Sequence, residues 1–235
     1  MQSIYFVDSN FTYESSKKSI LSIRYATDGF SFCVHDETGK LVVFVHEPYA
    51  ADSREAAVAR LKNYVVNDAI LNLRFKKVYI MPCFKEKLLV PGAFFDKANI
   101  TTLYTVNQEV SPDDTILYHH IEGIEAYLVE TVISSFHDFV REHFPVFQIV
   151  NGAYPFILGA MGKALRDTEQ IFLDIQDNYF DLLFIRDSGI QLFNTFSYKA
   201  TTDIVYFLLN CIKECGINQE KAHLSICGPA LKDNK

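Results

Sequence analysis

Three carboxylates, Asp174, Asp177 and Asp181, crowd one short stretch of this chain, around a turn between two extended segments. Acidic side chains converging on a turn are good oxygen ligands for a divalent cation. The competing reading is that Asp177 and Asn178 simply form the turn, because short polar side chains bond their own backbone there. Cys211 and Cys215 stand at i and i+4, a spacing that could hold a soft metal on one helix face. They fall, however, on the apolar stripe Ile204, Phe207, Leu208, Cys211, Ile212 and Cys215, which makes them core thiols. His119 and His120 are adjacent at the end of an extended run, so their rings point to opposite faces and do not share a metal.

The remaining candidates are weaker. Gly159 to Ala164 (GAMGKA) looks like a phosphate loop. It lacks the upstream glycine, where Ile157 stands, and the magnesium-binding hydroxyl, where Ala164 stands. Lys76, Lys77, Lys85 and Lys87 read as a solvated basic patch, and no serine or cysteine occupies a nucleophile elbow. The net charge is −7 and neither half of the chain is basic, which weighs against nucleic acid as a partner. No apolar run approaches the roughly 20 residues of a membrane span, and the start, Met1 to Asp8, has no secretory pattern. The five cysteines are an odd number, mostly in apolar surroundings, as in proteins that keep thiols reduced; the expected location is the cytoplasm.

The elements that must position these residues come in two similar sets. The chain has 235 residues, 49% hydrophobic and 22% charged, enough for a large core. Ser19 to Thr27, Phe30 to His35 and Leu41 to His46 read as three strands, with Asp28-Gly29 as a hairpin turn. A helix follows, with Asp52 and Glu55 at capping-box spacing and Val58, Leu61 and Val65 as its stripe. Lys77 to Met81 is a fourth strand, parallel after the crossover. The same order returns from about Glu169, and at an offset of 150 residues Phe180 meets Phe30, Leu182 meets Phe32 and Gly189 meets Gly39. Between the sets, Lys87 to Val90, Thr115 to His120, Ala126 to Val132 and Phe147 to Val150 read as strands. Ser134 and Ser135 read as caps of a helix over Phe136 to His143, and Pro155 stands at the start of another.

Two copies of a three-stranded meander followed by helix and strand resemble the duplicated ribonuclease-H-like fold of the actin, sugar-kinase and heat-shock-chaperone ATPases. More narrowly, LSIRYATDGFSF (Leu21 to Phe32), KLLVPGAFFD (Lys87 to Asp96) and the segment from Thr115 onward resemble a bacterial family, domain of unknown function 3822. The resemblance implies an α/β fold with two mixed sheets and flanking helices. It implies a first subdomain over 1–167, with inserted strands and helices, and a second over 168–235, possibly truncated at the C-terminus.

In those ATPases each copy opens with a phosphate hairpin, and nucleotide and metal lie between the copies. Carried onto this chain, only Asp174 and Gly228 match as cofactor-binding positions. Arg24 or Tyr25 stands at the first hairpin's aspartate; Gln176, Asp177 and Asn178 stand where small glycine-rich residues belong; Pro229 follows Gly228 and has no amide hydrogen to donate. The offset sets Arg24 opposite Asp174 in the repeat, where a fixed positive charge disfavours magnesium; alternatively Arg24 reaches the surface from its strand. The expectation is a non-catalytic binding or scaffold module with degraded phosphate loops, no metal and no cofactor, and a protein partner. The alternative is a divergent ATPase or small-molecule kinase using Asp174 with magnesium and ATP. A ribonuclease-H-like nuclease is disfavoured by the missing carboxylate on the first strand.

Overall fold

The computed structural model describes residues 2–228. Pro229, which follows the expected cofactor-binding Gly228, lies outside the described residues. In chain order the elements are β1 (Ile4–Val7), α1 (Tyr13–Ser16), β2 (Ile20–Ala26), β3 (Gly29–His35), β4 (Leu41–Pro48), α2 (Arg54–Asn67) and β5 (Lys77–Pro82). Then come β6 (Lys87–Pro91), α3 (Ile100–Thr105), β7 (Asp114–His120), β8 (Ala126–Ile133), α4 (Ser134–His143), β9 (Phe147–Ile149) and α5 (Ala153–Met161). The second set is β10 (Glu169–Ile175), β11 (Tyr179–Arg186), β12 (Gly189–Ser197), α6 (Thr201–Glu214) and β13 (His223–Cys227). The chain divides into two compact units. The first holds Met1–Phe84, Glu109–His119 and Glu130–Gly152; the second holds Lys85–Gln108, His120–Val129 and Ala153–Lys235.

The first unit is built on a sheet ordered β1-β4-β3-β2-β5-β9, with β2 interior and β5 parallel to it. Alternation along β2 and β3 sends Leu21, Ile23, Tyr25, Phe30, Phe32 and Val34 into one core. Helix α2 meets it with Ala57, Val58, Leu61 and Val65. Its cap is Ser53, which accepts from the Ala56 amide at 3.2 Å, one residue beyond the expected Asp52. Helix α4 likewise begins earlier than expected, at Ser134: Ile133 holds the cap position and has no side-chain acceptor, while the Ser134 hydroxyl pairs with Thr115 Oγ1 at 2.8 Å. The edge strand β1 was not foreseen: it is four residues long and largely exposed, with Tyr5 at 67%.

The second unit is built on a sheet ordered β12-β11-β10-β13, again with its first strand, β10, interior and a parallel fourth strand. One face packs Ile171, Leu173, Phe180, Leu182 and Phe184 against Ile204, Cys211 and Ile212 of α6. The other packs Phe172, Leu183 and Ile185 against Ile121, Leu128, Ala153 and Ile157. A third, three-stranded sheet has the order β6-β8-β7.

The duplication is visible in the pairing registers. Tyr25 faces Phe30 as Ile175 faces Phe180, Ile23 faces Phe32 as Leu173 faces Leu182, and both middle strands are irregular at the same place, after Val34 and after Phe184. The third strands run one residue out of that step: Val34 faces Val43, whereas Phe184 faces Leu192. Gly39 and Gly189 are therefore not equivalent, contrary to the sequence offset. The first hairpin turns through a longer loop in which Gly39 has φ +83°. The second closes on Asp187 and Ser188 alone, at φ 53° and 64°, the two-residue turn whose twist matches paired strands.

Candidate functional site

The face of the second sheet turned away from α6 carries the acidic residues. Because Leu173, Phe180 and Leu182 point to α6, their neighbours Asp174, Tyr179 and Asp181 point the other way. Asp174 and Asp181 are direct partners across β10 and β11. Like charges set opposite each other repel, so this pair needs a cation or a proton. Lys87 at the head of β6 supplies one: its Nζ lies 2.9 Å from Asp181 Oδ1, with the two side chains only 1% and 3% exposed. Thr195, the register partner of Asp181 on β12, donates its hydroxyl to the same oxygen at 2.6 Å. The Lys87 ammonium also sits 4.6 Å from the centre of the Tyr179 ring. Lys87 is thus buried, a correction to its place in the expected surface patch; an ammonium so deep requires its carboxylate.

Asp174 and Gly228 are brought side by side at the ends of the parallel strands β10 and β13. Asp174 faces Cys227 in the register, and the Cys227 sulfur lies 3.8 Å from Asp174 Oδ1 and 3.4 Å from the Leu173 carbonyl. Burial, and then the Asp174 charge, push the Cys227 thiol up to about 11. Gly228 has φ +119° and lies so close on the Ile175 backbone that no side chain fits.

The β10–β11 turn is closed on itself. The Gln176 amide donates to the Tyr179 carbonyl at 2.9 Å, and the Tyr198 amide donates to the Asn178 carbonyl at 3.1 Å. The Tyr198 hydroxyl donates to the Gln176 carbonyl at 2.5 Å, and the Gln176 side chain is buried. Asp177 and Asn178 are turn residues. Among the described residues, no group of three or more His, Cys, Asp or Glu side chains is placed to hold a metal ion.

The first unit carries different chemistry at the matching positions. Arg24 faces Ser31 and Met81 as Asp174 faces Asp181 and Cys227, and Ser31 faces His46 as Asp181 faces Thr195. Arg24 Nη1 lies 3.2 Å from Asp28 Oδ1 in the hairpin turn. His46 Nε2 is buried and has no hydrogen-bond partner among the described residues. Burial, then the Arg24 charge, hold its pKa below the usual imidazole value.

The other candidates separate as their spacing implied. His119 is largely buried, 3.8 Å from Glu130 Oε1, while the exposed His120 meets the edge of the Tyr127 ring. Cys211 is buried and Cys215 half-buried, both as free thiols. Gly159 and Met161 lie inside α5, so the GAMGKA segment starts as helix. Lys87, Thr195 and Tyr198 were missed as site residues. The one signal was Lys87 heading the apolar run Leu88-Leu89-Val90, where alternation buries one side of an edge. A buried Glu130, which accepts from Asn151 Nδ2 at 3.0 Å, was also not foreseen.

Magnesium with ATP does not fit these residues. An ammonium already satisfies the deeper carboxylate of the acidic pair, and the hairpin beside it presents a buried glutamine and two turn-forming side chains instead of bare glycine amides.

Two meander–helix–strand sets with interior first strands define the actin-like ATPase fold. A crystal structure of a Bacteroides thetaiotaomicron protein with actin-like ATPase fold and unknown function superposes with a TM-score of 0.87 at 24% identity, over 95% of this chain and 86% of that one. A family model, DUF3822, protein of unknown function, matches residues 8–235, and the chain belongs to that family. More distant are a PilM–PilN type IV pilus biogenesis complex (TM-score 0.49, 12% identity, 86% of this chain and 67% of that one) and an exopolyphosphatase from Cytophaga hutchinsonii (TM-score 0.42, 12% identity, 89% and 66%). No curated protein matches the sequence. No helix among the described residues is long and apolar enough to cross a membrane.

Proposed function

We propose that the chain is a non-catalytic actin-like ATPase-fold module that binds or scaffolds a protein partner in the cytoplasm, with 1–167 and 168–235 as the two copies of its repeat. The observation that carries this reading is the β10–β11 hairpin. A phosphate hairpin must leave its backbone amides open to an anion, which small glycine-rich residues allow. Here Gln176 buries its side chain, its amide is spent on Tyr179, and its carbonyl is locked by Tyr198. The acidic balance of both halves supports a partner other than nucleic acid.

The second reading, a divergent ATPase or small-molecule kinase, rests on the adjacency of Asp174 and Gly228, which survives the loss of the loops. Titrating the purified protein calorimetrically with magnesium-ATP decides between them. The module reading expects only heats of dilution. Saturable binding selects the second reading, and accompanying phosphate release establishes it.

A further inference from the structure

We propose that Lys87 is a tethered cation: its ammonium pairs with Asp181, the carboxylate opposite Asp174, and thereby keeps a divalent ion out of the second unit. The proposal deepens the module reading and rests on it.

Three observations combine. Asp174 and Asp181 are fixed opposite each other by the β10–β11 register, so their mutual repulsion is a property of the strand pairing. Asp181 is buried, with Lys87 and Thr195 both on its Oδ1 at 2.9 and 2.6 Å. Of those two donors only Lys87 carries charge, and it compensates a buried carboxylate. Finally, Lys87 is carried by β6, outside the duplicated meander. It is an addition from the inserted region that meets the repeat at its acidic position, and the ring of Tyr179 holds the ammonium from a third side.

Taking the ammonium away leaves a buried Asp181, still holding one hydroxyl donor, beside the half-buried Asp174. A hard divalent cation with its own water is the natural replacement. Manganese alone, without nucleotide, is the probe, followed by calorimetry and by the loss of its free-ion electron-spin-resonance signal. Wild-type protein is expected to bind no manganese with defined stoichiometry. Lys87→Ala is expected to bind one ion per chain at least tenfold more tightly than wild type, about 1.4 kcal/mol. Asp181→Asn added to Lys87→Ala is expected to abolish that binding.

Wild-type binding that Asp181→Asn removes would overturn the proposal, and so would a folded Lys87→Ala protein that binds no manganese. Should Lys87→Ala not fold alone, Lys87→Gln keeps most of the stem, and its melting temperature should rise with manganese where the wild-type value does not. Should neither variant fold alone, manganese at millimolar concentration should restore Lys87→Ala where sodium chloride of equal ionic strength does not. Absence of both effects sinks the idea. Nucleotide binding by the wild type would defeat the module reading while leaving these manganese outcomes to stand or fall separately.

Discussion

Arg24 and Asp174 hold the same register position in two copies of one sheet, and they carry opposite charge. Each charge is met locally. Arg24 turns back along its own hairpin to Asp28, and the acidic pair in the second copy receives Lys87. Equivalent positions of the two copies thus carry opposite charges, each beside its own local ion pair.

Arg24→Met should test the first of these pairings. The ion pair is mostly buried, so its loss should cost about 1–2 kcal/mol, between the values for exposed and for buried pairs. It should also raise the pKa of His46, because Arg24 is the second cause, after burial, that holds it down. Nuclear magnetic resonance titration of the His46 ring reads this directly, and an unmoved or lowered value would contradict the placement.

Acid should weaken the fold before carboxylates begin to titrate. His46 and His119 both sit below the ordinary imidazole value of 6.5, chiefly through burial. Below that value the unfolded chain takes up protons that the folded chain refuses, so stability falls as pH drops through 6.5. Above it, both states are neutral there and the contribution is level. Urea midpoints for the wild type, His46→Gln and His119→Gln should show the slope reduced in each variant; a slope unchanged in both would place its origin elsewhere.

Two glycines with positive φ should respond differently to alanine. Gly228→Ala adds a side chain against the Ile175 backbone at φ +119°, while Gly39→Ala at φ +83° meets only open space. The first should lose about 3 kcal/mol or more, the upper end for strained backbone with a clash added. The second should lose only about 1 kcal/mol. Thermal unfolding of both variants orders them, and equal losses would argue against the close approach of β13 to β10.

Tyr198→Phe removes one hydroxyl and nothing else from the β10–β11 turn. Loss of its bond to the Gln176 carbonyl should cost about 1 kcal/mol. Backbone hydrogen exchange at Asp177 and Asn178 should quicken in the same variant. No change in either measurement would mean that the turn is held by its strand pairing alone.

The sequence made the repeated architecture legible because apolar alternation and helical stripes are local signals. Phe30, Phe32 and Val34, or Ile204, Cys211 and Ile212, announce their buried faces by spacing alone. What stayed hidden depended on partners distant in the chain. Lys87 sits among lysines that look solvated, and its burial follows from Asp181, more than ninety residues later. Ser134 looks like a cap, but the helix starts on it, with Ile133 at the cap position, and its hydroxyl meets Thr115. The one-residue step between the third strands is invisible to a gapless offset, since it is absorbed where a long turn in one copy becomes Asp187-Ser188 in the other. Asp177 and Asn178 fall in the turn between β10 and β11, but the pairing of Asp174 with Asp181 needed the hairpin register.

The chain passes from one compact unit to the other after Phe84, Gln108, His119, Val129 and Gly152. No single scission can therefore separate the two units: a cut after Gly152 keeps every segment of the first together but breaks the second. A break between 167 and 168 would leave the later fragment without Lys87, Leu128 and Ile157, which line the second unit's own interior. Expressed apart, the later fragment should be insoluble; expressed together, the two should restore the second unit. The same threading that resists dissection thus suits the protein to use as a split reporter, whose later half becomes ordered only in the company of the earlier.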